Sequence, residues 1–152
     1  MKTKILLICV IAITVFASCD KNNEVVEDNS LKFEFQRSGS WIGLDEKLRI
    51  TADSTYYSVS YRDLHTLELI NYETTIKTSK EQWDYLVNIF DLETFTKIQN
   101  GHCRACVDGF DEIFSVTQNS EVYSFSNGND DEHYKQMQDF FDTILMQANS
   151  FF

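Results

Sequence analysis

The densest run of chemistry-bearing side chains in this 152-residue chain is His102-Cys103-Arg104-Ala105-Cys106. Two cysteines spaced in this way can attach haem, exchange electrons, ligate zinc or close a disulfide. Haem attachment needs a histidine directly after the second cysteine, and Val107 stands there. A thioredoxin-like pair lies between a strand and a helix N-terminus, which lowers the thiol pKa. Here Gly101 and Gly109 flank the pair and place it in a loop before a strand. Zinc needs two further ligands at suitable spacing. His102 and Asp108 adjoin the pair, but no second cysteine pair follows, and His65 and His133 are distant in sequence. The leading expectation is a local Cys103–Cys106 disulfide in an oxidising compartment, stiffening one loop. Metal ligation and redox exchange stay open beside it.

Elsewhere the chemistry thins out. Asp108-Gly109-Phe110-Asp111-Glu112 and Asn129-Asp130-Asp131-Glu132 cluster carboxylates, but neither has the alternating ligands and closing glutamate of a calcium loop. Solvated turns and helix caps account for both. The chain contains no Gly-x-Ser-x-Gly, no His-Glu-x-x-His and no phosphate-binding glycine loop. The expectation is a protein that is not an enzyme, with no metal and no cofactor.

The N-terminus carries a different kind of chemistry. Met1-Lys2-Thr3-Lys4 is basic, residues 5–16 are almost wholly apolar, and Ala17-Ser18 precede Cys19. The apolar run is shorter than the roughly 20 residues of a membrane span and suits a signal peptide. Phe16-Ala17-Ser18-Cys19 resembles a lipobox, so Cys19 is the expected lipidation site, acylated on sulfur and by palmitate-like chains. Each buried methylene is worth about 0.8 kcal/mol, so two or three chains anchor a protein durably. This divides the chain into a signal peptide (1–18), a lipidated cysteine with an acidic tether (19–30) and one globular domain (31–152). Removing Lys2 and Lys4 with the signal takes the formal charge from −11 to −13. Such a domain does not seek nucleic acid through charge. The expected location is the cell envelope, lipid-anchored to the outer (or inner) membrane.

The elements that must position these residues follow from apolar periodicity. Leu31 to Arg37 alternates as a half-buried strand, broken by Gly39-Ser40-Trp41-Ile42-Gly43. Further strands are expected from Leu48, over Tyr56–Tyr61 and over Leu67–Ile76. Ser79-Lys80-Glu81-Gln82 is a capping box, followed by Trp83, Leu86, Val87 and Phe90 on one helical face. Phe110–Thr117 and Glu121–Phe125 form a hairpin around Asn119-Ser120. Glu132 to about Ala148 is one helix with Tyr134, Met137, Phe141, Ile144, Leu145 and Ala148 inward. With 12 Phe, 7 Tyr, 2 Trp and no proline, the domain is ordered. The fold class is α+β: an antiparallel sheet of about five or six strands with two helices packed on one face.

Two resemblances add to this. The lipobox start and the Lys, Asn, Ile, Phe and Tyr usage resemble small lipoproteins of Bacteroidota. The strand LKFEFQR, the glycine-spaced turn, the capped helix from Ser79, Asp108-Gly109-Phe110 before a strand and the closing helix resemble the emfourins, inhibitors of thermolysin-like metallopeptidases. That resemblance implies inhibition through the turn. Ser40 stands where emfourin-like chains favour a second glycine, and the cysteine pair and lipid anchor are absent from them. The functional expectation is a non-catalytic envelope binding domain for a protein or small ligand, with an emfourin-like inhibitor as the alternative. Gly39, Trp41 and Gly43 are the candidate binding residues. Trp41 is either an exposed anchor or a plug at the sheet end.

Overall fold

A computed structural model describes residues 31–39 and 42–151. The expected signal peptide (1–18) and tether with Cys19 (19–30), together with Ser40 and Trp41, lie outside the described residues. Among those described, six strands run β1 Lys32–Gly39, β2 Leu44–Ile50, β3 Ser54–Arg62, β4 Leu69–Lys77, β5 Phe110–Gln118 and β6 Glu121–Ser126. They form one antiparallel sheet in the order β4-β3-β2-β1-β5-β6. Helices α1 Lys80–Ile89, α2 Leu92–Phe95, α3 Glu132–Gln136 and α4 Gln138–Asn149 cover one face. The α+β expectation, with an antiparallel sheet under helices, is what the fold shows.

Strand parity selects the buried face. Phe33 and Phe35 on β1 pair with Ile50 and Leu48 on β2 and with Val116 and Phe114 on β5, and all six are buried. Their neighbours Glu34, Gln36, Lys47 and Arg49 point to the open face and stay solvated. Phenylalanine rings bind the layers together. Phe33 meets Trp83 of α1 at 5.5 Å and Phe140 of α4 at 5.1 Å, while Phe114 meets Phe141 at 4.7 Å. Burying each such ring is worth about 1.5–3 kcal/mol.

Local signals mark the element ends. Ser79 Oγ accepts from the Gln82 amide at 3.2 Å, as a capping serine should. Asn119 and Ser120 both take positive φ, 52° and 63°, which is the two-residue hairpin turn whose twist matches the strands. β4 starts at Leu69, two residues later than the alternation suggests, because Leu67 (φ 61°) belongs to a turn closed by Asp63.

Two helical expectations need correction. The closing helix is not continuous, because Met137 (φ −105°, ψ 17°) separates α3 from α4. In an unbroken helix residues 134 and 141 lie two turns, about 10 Å, apart. Broken at Met137, Tyr134 stacks on Phe141 with ring centroids 4.3 Å apart. Val87 is 40% exposed, not inward. The contact line of α1 follows Trp83, Leu86 and the capping Phe90 across Phe33, and Val87 falls beside it.

Candidate binding surface

One end of the sheet gathers three connections. The register sets Gly39, the last residue of β1, between Leu44 and Phe110. The β1–β2 turn, the segment before β5 and the β3–β4 turn therefore share this end. Arg62 donates its amide to Ile42 O at 2.9 Å, tying the first turn to β3.

The Cys103 and Cys106 sulfurs are bonded, with Cα atoms 5.5 Å apart. The cysteines close a loop that carries a single 3-10 turn, Ala105–Val107. Asp111 organises it: its Oδ1 accepts from the Arg104 amide at 2.7 Å, the Ala105 amide at 3.2 Å and Asn127 Nδ2 at 2.7 Å. These donors hold the Asp111 carboxyl below its ordinary range, the Asn127 amide most of all. Asn127 is buried and left-handed (φ 53°), and every polar group of its side chain is used. Its Nδ2 also donates to His102 O at 2.9 Å, and its Oδ1 accepts from the Glu112 amide at 2.9 Å. A Cβ on Gly101 would lie 1.9 Å from Asn127 O, so only glycine fits there.

The structure brings the cysteine loop and the first turn together. A Cβ on Gly39 (φ 118°) would lie 2.8 Å from Ala105 Cβ and 3.0 Å from Gly109 O. The end of β1 at Gly39 leans on the disulfide loop, and glycine permits both the φ and the approach. Gly43 (φ 64°) has open space around its Cα, so its glycine serves conformation alone. Trp41 and Cys19, the expected lipidation residue, lie outside the described residues. At this end Val107 is 79% exposed, and Leu64, Leu67 and Phe110 are also exposed.

A charge cluster that no sequence motif marks lies just inside. Arg37, Glu46 and Glu112 occupy inward positions on adjacent strands. Arg37 Nη1 is 3.1 Å from Glu46 Oε2, and its Nε is 3.3 Å from Glu112 Oε1. Glu46 is fully buried and accepts from Tyr57 Oη at 3.0 Å. Burial, and then the Glu46 charge, push the Tyr57 hydroxyl well above its ordinary pKa. Tyr134 is pushed up to about 12, by burial first and then by the charges of Glu112 and Asp142. The signal was present in the strand parity. Arg37 follows Phe33 and Phe35, and Glu46 precedes Leu48 and Ile50, all on the buried side. This cluster joins three strands by charge beneath the loop end, with Glu46 shut off from solvent.

Among the described residues, no group of three or more His, Cys, Asp or Glu is placed to hold a metal ion, and no helix is long and apolar enough to cross a membrane. Neither a protein-family profile nor a curated protein matches the chain.

Proposed function

We propose that this chain is a lipid-anchored, non-catalytic binding domain of the cell envelope that engages a protein through the loop end of its sheet. One observation carries the reading. A disulfide loop whose polar groups are tied down by Asp111 and Asn127 holds an apolar side chain, Val107, in solvent. Rigid presentation of an apolar group lowers the ordering cost of binding. The anchor fits this arrangement. The tether joins β1 at Leu31, and eight residues of β1 separate that end from Gly39, roughly 26 Å. With the lipid on Cys19, this spacing lets the loop end stand clear of the bilayer.

Two experiments test the two halves. Mass spectrometry of the mature N-terminus is expected to find Cys19 acylated; an unmodified terminus refutes the anchor. Capture of partners from envelope extracts is expected to survive Ser58→Asp on the open face and to be lost with Val107→Asp. The reverse pattern refutes the assignment of the surface. The backing of Gly39 by Ala105 favours a second reading, an emfourin-like inhibitor, since a braced end of β1 suits docking in a peptidase cleft. Stoichiometric inhibition of a thermolysin-like metallopeptidase by the chain would support it, and its absence would remove it.

A further inference from the structure

The two edges of the sheet differ. At β6 the Gly101 amide donates to Ser126 O, and the Ser126 amide donates to Asn100 Oδ1, so a loop occupies the end of that edge. At the opposite edge, β4 pairs with β3 and with nothing else among the described residues. Two flanking bonds fix its hydrogen-bond phase: the Thr78 amide donates to Asp53 O, and the Asp63 amide donates to Glu68 O. Antiparallel ladders alternate bonded and non-bonded pairs, so Ile70, Tyr72, Thr74 and Ile76 turn their backbone groups toward β3. Asn71, Glu73, Thr75 and Lys77 turn theirs outward. The strand has nine residues and no proline, and Tyr72 and Ile76 are each 47% exposed. Such an edge is a template for another strand.

We propose that this partner is a second copy of the chain, with β4 pairing antiparallel to β4 about a two-fold axis at Thr74. The choice of occupant and register comes from complementarity. Only outward residues can exchange hydrogen bonds, so the axis must pass through one β4 residue. An axis at Glu73 sets two carboxylates face to face, which is destabilising. An axis at Tyr72 sets Ile76 against Glu68. An axis at Thr75 shortens the paired stretch to residues 73–77 and takes Tyr72 off Ile76. At Thr74, Tyr72 meets Ile76 twice on the helical face. On the open face Glu73 meets Thr75 and Asn71 meets Lys77, while Glu73 is diagonal to both Lys77 and Glu73 of the other copy, at the wider diagonal spacing. The sheet becomes a continuous twelve strands. Both copies are acidic, so their long-range repulsion is screened by salt and the dimer tightens as ionic strength rises.

The test uses the full chain in detergent, weighed by sedimentation equilibrium. Twice the chain mass is expected, with more dimer at higher salt. Thr75→Pro removes one outward amide from an edge where proline is tolerated. It is expected to give the monomer mass with unchanged circular dichroism. At the axis two Thr74 residues form a non-bonded pair with Cα atoms about 4.5 Å apart, within disulfide reach. Thr74→Cys is therefore expected to oxidise to a dimer linked through residue 74, and Thr75→Cys is not. A monomeric wild-type chain, a Thr75→Pro variant that stays dimeric, or linkage at 75 and not at 74 overturns the proposal. Linkage of residue 74 to a different protein also overturns it, in favour of a foreign strand.

Discussion

Arg37→Met isolates the buried charge beneath the loop end. Methionine keeps much of the side-chain volume over the Phe35 ring, where the guanidinium now sits 5.3 Å from the centroid. It removes the partner of Glu46, which has no exposure to solvent. At 3.1 Å and an effective dielectric of about 20, the pair attracts by roughly 5 kcal/mol before desolvation is charged. Arg37 is 20% exposed, which trims that figure. Stranding one member of a buried pair costs about 3–5 kcal/mol. Glu112 suffers less, since it keeps solvent and Arg104 at 4.0 Å. The double variant Arg37→Met, Glu46→Gln removes both charges and keeps an acceptor for the Tyr57 hydroxyl. It is expected to recover most of the loss. Urea unfolding measures both, with the midpoint falling at unchanged slope in the single variant. A single-variant loss below about 1 kcal/mol, the worth of an exposed pair, would refute the reasoning. So would a double variant no more stable than the single.

Three further outcomes follow from the loop. Replacing both Cys103 and Cys106 by serine is expected to cost about 2 kcal/mol or less, because the closed loop is short; thermal melting with and without reductant checks it. Asp111 has its folded pKa below the ordinary 3.8, so its stabilisation is present above that value and lost as pH falls through the folded one. Asp111→Asn is expected to flatten the acid limb of a melting-temperature profile taken between roughly pH 5 and pH 2, and an unchanged limb refutes this. Gly101→Ala forces a Cβ onto the Asn127 carbonyl and is expected to cost about 1–3 kcal/mol or more, measured by chemical denaturation. Equal protection of the loop amides from hydrogen exchange in this variant and the wild type would contradict that.

Much of the fold is legible because the apolar pattern is strong. The alternation in KFEFQR, the capping serine at 79 and the Asn119-Ser120 turn each have a local cause, and each stands where the sequence puts it. The break at Met137 has no local signal, since every residue from Glu132 to Asn149 suits a helix. It is the stacking of Tyr134 on Phe141 against β5 and β6 that requires it. The candidate surface divides in the same way. A closely spaced cysteine pair is visible as a local staple. Its docking against Gly39 joins residues more than sixty positions apart, which spacing does not report. Asn127 and Asp111 were hidden for another reason. In sequence they read as ordinary turn and cap residues, and their importance comes from hydrogen bonds to the cysteine loop, 25 residues away for Asn127 to His102 and seven and six residues away for Asp111 to Arg104 and Ala105.

The disulfide-braced loop end is proposed to meet a protein at the envelope. Photo-crosslinking in intact cells tests it most directly, with a photoreactive residue placed singly at Val107, at Leu64 and, as a control on the helical face, at Met146, which is 72% exposed. The account predicts a discrete protein adduct from Val107 and from Leu64, and none from Met146. Adducts from Met146 with none from Val107 would contradict it.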